Sequence, residues 1–142
     1  MRIKIIDLNL FGKTNGMHNI ESVELFDCFK EVYAFYFDKK DTWYLMDILN
    51  NGNPNWFLFN ESMEVCDNTI PSGWVYIKKY EYYIPPYNSG IKLSNILSPK
   101  WMAENKTFFY ETFEDGDSAR QKFYDNEIKP HRLEAQKDEE EM

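Results

Sequence analysis

The chain has 142 residues, of which 18% are aromatic, and its formal net charge is −8 at pH 7. This length matches one typical domain and is sufficient to bury a sizeable core. The charge argues against a general binder of nucleic acids or anionic membranes, because the field of an acidic protein repels phosphate groups.

The two cysteines, Cys28 and Cys66, are too far apart in the sequence to form a short metal-binding or redox motif. We expect both to be reduced, buried thiols, because the first ten residues place charges inside an apolar run and do not resemble a secretory signal. No apolar run approaches the ~20 residues that span a bilayer. The sequence therefore predicts a cytoplasmic protein without a membrane segment.

The N-terminal segment predicts a strand followed by a turn. Residues 2–11 alternate apolar and polar side chains, and the change of phase after Ile5 indicates a bulge or burial on both faces. Two glycines then mark a turn over 12–16. Residues 20–29 fit both a short helix and a strand, and we favour a helix or turn.

The middle of the chain predicts a meander of antiparallel strands. The asparagine-rich segment 50–55 is a cluster of turn formers, so the strands on either side of it should form a hairpin. Aromatic and β-branched residues dominate the runs on which the other strands are predicted. The predicted strands are 32–37, 42–49, 56–59, 63–66 and 74–84.

The last third predicts two helices. Ser98 is the expected N-cap of the first helix, with Pro99 at its first position. The second helix runs from about 118 to 128 and ends before Pro130. We therefore predict an α+β fold in which residues 1–130 form a single domain, a twisted antiparallel sheet of five to six strands packed by two C-terminal helices. Residues 131–142 are expected to be an acidic, solvated tail.

The sequence contains fragments of catalytic motifs, but none is complete. Gly12-Lys13-Thr14 resembles the end of a phosphate-binding loop, yet Asp7 stands where that loop requires a glycine. His18 and His131 are isolated from each other and from any side chain at a metal-ligand spacing. We interpret the glycine segment as a turn and the histidines as surface residues.

Acidic clusters give no metal site either. The segment 115–118, with Glu111 and Glu114 before it, lacks the alternating ligands of a calcium loop and fits helix capping better. Pairs such as Glu61 and Glu64 are expected by chance in a chain with 24 acidic residues. We therefore expect no cofactor, no metal and no catalysis.

The strand predicted at 74–84 divides its side chains between two faces. One face carries Trp74, Tyr76, Lys78, Tyr80 and Tyr82, and the other carries Val75, Ile77 and Tyr83. The tyrosine face is either a recognition surface or part of a strand buried on both sides by the C-terminal helices. Tyr76, Tyr80 and Tyr82 are the candidate contact residues of this strand.

Most of the negative charge belongs to the last third. Residues 101–142 contain twelve acidic and six basic residues, a net charge of −6. This charge should speed association with a basic protein and favour it over other partners. The candidate contact residues here are Glu111, Glu114, Asp115 and Asp117.

A small, acidic, aromatic-rich domain without catalytic motifs is typical of bacterial immunity proteins and phage inhibitors. The sequence thus predicts a protein that binds and neutralises a toxin or enzyme, such as a basic nuclease, and that does not bind nucleic acid. Three alternatives stay open: a carbohydrate- or ligand-binding module using strand 74–84, a small enzyme, and a subunit of a larger assembly.

Overall fold

The computed structural model describes residues 1–16, 28–49, 51–84, 89–105, 107–114 and 116–130, with the backbone alone for 79–84, 89–94, 110, 113 and 114. The helix or turn expected around 20–29 lies almost wholly outside the described residues, and so does the predicted tail at 131–142.

The described residues form eight strands and four α-helices. The strands are β1 (Arg2–Ile5), β2 (Phe29–Glu31), β3 (Ala34–Phe37), β4 (Thr42–Met46), β5 (Asn55–Leu58), β6 (Met63–Asp67), β7 (Trp74–Ile84) and β8 (Ser89–Pro99). The helices are α1 (Leu8–Thr14), α2 (Lys100–Glu104), α3 (Phe108–Glu114) and α4 (Gly116–Phe123), and α4 continues as a π-helical turn over Tyr124–Ile128. The predicted α+β class is confirmed.

The N-terminal strand is shorter than predicted, because the chain turns into a helix after Ile5. The side chain of Asp7 accepts a hydrogen bond from the backbone N–H of Leu10 at 3.0 Å and so caps α1. The apolar side chains that follow sit at helical rather than strand spacing, and Gly12 is buried inside α1. The change of phase after Ile5 therefore marks the start of α1 and not a bulge, and the register shift of β1 against β6 lies between Arg2 and Ile3 instead. The turn predicted to begin at Gly12 is also wrong, although Gly16 does take a positive φ of 68°.

The strands form two antiparallel sheets instead of the single sheet predicted. The smaller sheet has the order β2–β1–β6, and the larger has the order β5–β4–β3–β8–β7. The hairpin predicted across 50–55 is confirmed as β4–β5, and β7 has the bounds predicted for it. Strand β8 was not predicted, and it lies in the middle of the larger sheet between β3 and β7.

The C-terminal helices begin later in the chain than predicted, and there are more of them in the described residues than the two predicted. Because β8 continues to Pro99, Ser98 is a strand residue, and its hydroxyl donates to the Pro99 carbonyl at 3.1 Å instead of capping a helix. The single helix expected across 101–113 is divided at Asn105, whose backbone is extended. The Asn105 side chain accepts hydrogen bonds from the N–H and the hydroxyl of Thr107. These bonds stabilise the turn that precedes α3.

Over part of its width, the larger sheet is covered on both faces by two separate hydrophobic clusters. On one face, the smaller sheet and α1 cover side chains of β4 and β5, including Tyr44, Met46 and Phe57. On the other face, the C-terminal helices cover Ala34, Leu45 and Ile96 with Met102, Phe108, Phe109 and Phe123. The molecule is therefore layered as small sheet, large sheet and helices.

The two cysteines are free, and they differ from the buried thiols expected. Cys28 is partly buried, whereas Cys66 is exposed at the edge strand β6. The Cys66 thiol donates a 3.4 Å hydrogen bond to the carbonyl of Arg2.

Candidate functional site

The predicted acidic contact residues lie in different environments. Glu111 is buried, and its Oε1 atom accepts from Lys122 Nζ at 2.6 Å and from the Thr107 hydroxyl at 2.9 Å. Its second oxygen, Oε2, is also buried and has no hydrogen-bond partner among the described residues. Glu111 is thus engaged inside the fold and is not displayed to a partner.

Asp117 is the acidic candidate that the structure places on an accessible surface. It is exposed in the first turn of α4, where a carboxylate is favourable because of the helix dipole. Glu114 is described by its backbone alone, and Asp115 lies outside the described residues. Of the four candidates, the structure thus describes the side chains of Glu111, which is buried, and Asp117, which is exposed.

A cleft of about 780 Å³ lies beside Asp117, between α4 and the loop that follows β4. One side is formed by Tyr33, Asp47, Asn51 and Gly52, and the other by Asp117, Arg120, Gln121, Phe123, Tyr124 and Ile128. A volume of this size falls within the range of small-molecule sites. The cleft combines aromatic walls with charged groups, and among its residues only Asp117 was a candidate from the sequence.

The loop side of the cleft is shaped by Asp47. Its two carboxylate oxygens accept hydrogen bonds from the backbone N–H groups of Asn51 at 3.1 Å and Gly52 at 2.8 Å. Gly52 has a φ of 80°, which few other residues adopt, and a Cβ there would lie 3.6 Å from Arg120 Nε and 3.7 Å from Ile128 Cδ1. The turn therefore rests directly against α4 and the π-helical turn.

We expect Gly52→Ala to lower the free energy of unfolding by about 1 kcal/mol, because the left-handed conformation is costly for a residue with a Cβ. The added methyl group itself has room, since its nearest neighbours are at ordinary contact distances. Urea unfolding measures this loss, and Gly73→Ala, at φ 89° with open space around it, is the matched control. A smaller loss at Gly52 than at Gly73 would mean that the Arg120 and Ile128 contacts compensate for the strain.

Carboxylates outnumber cationic groups around the Tyr33 side of the cleft. Burial is the largest cause that raises the pKa of Tyr33, and together with the carboxylates of Asp47, Glu31 and Glu127 it brings this pKa to about 12. The Tyr33 ring is held in place by an edge-to-face contact with Phe123, with ring centroids 4.7 Å apart. The carboxylate contribution to this shift favours a cation at the same position, whereas burial disfavours any charged group that stays fully desolvated there.

Strand β7 places its described side chains on the two faces that the sequence predicts. Val75 and Ile77 pack toward the helical core, while Tyr76 is 55% exposed. The Tyr76 ring stacks on Phe37 at 6.2 Å, and its hydroxyl donates to Asn95 Oδ1 at 2.6 Å. Tyr80 and Tyr82 are described by their backbone only, so the environment of their side chains stays a prediction.

Within the described ranges, no group of three or more His, Cys, Asp or Glu residues is placed to hold a metal ion. Both histidines, His18 and His131, lie outside those ranges. None of the helices in the described part of the chain is both long enough and apolar enough to cross a membrane.

Comparisons with protein-family models, with curated protein sequences and with solved structures found no significant match. The function must therefore be argued from the cleft and the surfaces themselves.

Proposed function

We propose that the protein is a cytoplasmic inhibitor that binds and neutralises a basic protein partner, a toxin or an enzyme such as a nuclease, without catalysing a reaction. The observation that carries this proposal is the negative, tyrosine-lined cleft between the Asp47 loop and α4. The partner would place an arginine or lysine side chain in this cleft.

The charges of the cleft support a cation as the group it receives. Asp47 and Asp117 outnumber Arg120 in its lining, and Glu31 and Glu127 add to the negative potential at Tyr33. Arg120 opposes a second cation nearby, so the incoming group is favoured on the Tyr33 side. Aromatic rings at Tyr33 and Tyr124 offer faces on which a guanidinium or ammonium group can also be stabilised.

The overall charge supports the same kind of partner. The net charge of −8, with −6 in the last third of the sequence, would speed association with a basic protein. Nucleic acid is disfavoured by the same field.

We expect Asp117→Lys to slow association with the partner about tenfold or more, because it reverses a charge at the mouth of the cleft. The matched control is Glu61→Lys, at an exposed turn on the side of the molecule with the smaller sheet, which makes the same change in net charge. Beads carrying wild-type protein, Asp117→Lys or Glu61→Lys would be used on a lysate of the native host. A protein that is retained by wild type and by Glu61→Lys, but not by Asp117→Lys, is the candidate partner.

The purified pair then allows two measurements. Stopped-flow association at low and high salt should show a rate that falls steeply with salt for wild type and less steeply for Asp117→Lys. The partner's own activity should be lost on adding the wild-type protein. Equal association rates at all salt concentrations, or full partner activity in the complex, would contradict the proposal.

A further inference from the structure

The outer edge of β7 is the longest strand edge of the larger sheet. β7 pairs with β8 along its whole length, from Trp74 opposite Pro99 to Ile84 opposite Ser89, and no described strand pairs with its other edge. The opposite edge of the sheet, β5, has only four residues and directly follows Pro54. Short strands and prolines are common protections of sheet edges, and β7 has neither.

The hairpin of β7 and β8 also extends beyond the rest of the sheet. β3 pairs with β8 only from Phe35 opposite Leu97 to Phe37 opposite Asn95. The pairs from Tyr80 opposite Leu93 to Ile84 opposite Ser89 lie past the end of β3. Among the described residues, the far end of the hairpin is therefore a two-stranded ribbon, and no described strand pairs with the outer edge of β7 there.

The exposed side chains on the described part of β7 fit a contact surface. Tyr76 is fixed by its stacking on Phe37 and its hydrogen bond to Asn95, so its ring is positioned before any partner arrives. Lys78, two residues further along the same face, is also exposed. A rigid exposed tyrosine is a common anchor of protein interfaces.

The charge of this hairpin is opposite in sign to that of the whole protein. Residues 74–99 contain three lysines and one glutamate, a net charge of +2 in a chain of −8. A segment that binds along this edge should therefore be acidic, unlike the basic group proposed for the cleft.

We propose that the edge of β7 receives an extended, acidic segment of a protein partner as a sixth strand of the larger sheet. Directly opposed residues in such a pairing lie ~4.5–5.5 Å apart, and alternate residues share a face. The added strand would place an apolar residue against Tyr76 and an aspartate or glutamate against Lys78, with one residue between them. This recognition mode combines backbone hydrogen bonds with alternate side-chain contacts.

A random-peptide library displayed on phage and selected on the immobilised full-length protein tests this inference. We expect enriched peptides with an apolar residue and an acidic residue separated by one position. Their synthetic versions should bind Lys78→Glu at least tenfold more weakly than wild type. The matched control Lys13→Glu, on α1, and the cleft variant Asp117→Lys should bind them as wild type does.

Methylation of peptide backbone nitrogens distinguishes strand pairing from other contacts. Methyl groups on every second residue should abolish binding, whereas methyl groups on the intervening residues should leave it unchanged, because alternate N–H groups point toward β7. Tyr76→Ala should also weaken binding, and thermal melts show whether each variant is folded. If Tyr76→Ala does not fold, Lys78→Glu and the methylated peptides still decide the question.

The inference would be overturned by the absence of any enriched peptide, by binding that is insensitive to backbone methylation, by loss of binding in Asp117→Lys, or by concentration-dependent dimers that Lys78→Glu dissociates. The last result would assign the edge to a second copy of the chain. A sugar that binds in a Tyr76-dependent manner on a glycan array, with no peptide that does so, would assign the surface to carbohydrate.

Discussion

Lys122→Met is expected to lower the free energy of unfolding by about 3 kcal/mol, the lower end of the range for breaking a buried ion pair. The substitution removes the 2.6 Å contact to Glu111, whose side chain is only 12% exposed and already has one oxygen without a hydrogen-bond partner in the described part of the chain. The lower end of the range applies because Lys122 is itself 32% exposed. Such a loss is large against the ~5–15 kcal/mol that stabilises a typical domain.

A double-mutant cycle shows whether the cost comes from the stranded charge. Glu111→Leu combined with Lys122→Met should recover most of the lost stability, because an apolar pair of similar size leaves no charge to desolvate. The matched control is Lys100→Met, which breaks an exposed pair with Glu104 at 3.6 Å and should change stability by less than ~0.5 kcal/mol. Urea unfolding of wild type, Glu111→Leu, Lys122→Met and the double variant gives the coupling energy. A loss at Lys122 no greater than the loss at Lys100 would show that the pair does not stabilise the fold.

The second large effect is a loss of stability at alkaline pH through Tyr33. Its pKa is about 12 in the folded protein, against 10.0 for an unperturbed tyrosine. Folding therefore favours the neutral phenol, and the resulting stabilisation is complete below pH 10 and is lost as the pH rises through 12. The difference corresponds to roughly 3 kcal/mol, of which about half is lost by pH 11.

Tyr33→Phe isolates this contribution from those of the other tyrosines. The variant has no phenol at this position, so its stability should fall less than that of wild type between about pH 8 and pH 11. Burial also raises the pKa values of Tyr36 and Tyr44, but these residues are present in both proteins and cancel in the comparison. Urea unfolding at each pH measures the difference. Parallel losses in both proteins would show that the cleft does not hold Tyr33 in its neutral form.

Strand β7 could be predicted from the sequence with correct bounds, and β8 could not. The run from Trp74 to Ile84 is rich in aromatic and β-branched residues, and these residues favour a strand wherever it lies. The run from Ser89 to Pro99 contains glycine, serine and asparagine, which are weak strand formers. It is a strand because β7 and β3 pair with it on either side, and such pairing is not visible in the local sequence.

Helix α1 could have been predicted from the sequence. Asp7 followed by Leu8 and Phe11 is a capping residue before apolar residues at helical spacing. The two glycines at 12 and 16 favoured a turn, but Gly12 is tolerated inside the helix.

The cleft was only partly accessible to prediction. Asp117 could be singled out from the charge of the last third, but Tyr33 and Asp47 belong to segments distant in sequence from α4. Their role depends on the packing of the β4–β5 hairpin against the helices. Glu111 was also chosen as a contact residue because of the negative charge of the last third. The sequence does not show that Glu111, on α3, pairs with Lys122, on the following helix α4.

The layered arrangement of the sheets and helices sets an order for events during synthesis. The smaller sheet, α1 and the first three strands of the larger sheet are all encoded before residue 70, so one face of the larger sheet can be covered early. The other face, with Ala34 and Leu45, stays open to solvent until the residues of α2, α3 and α4 have left the ribosome. Because α4 covers this face and also forms one wall of the cleft, the cleft is completed only in the step that buries these apolar side chains. A truncated product that stops before α4 should therefore lack the cleft and aggregate more readily than the full chain.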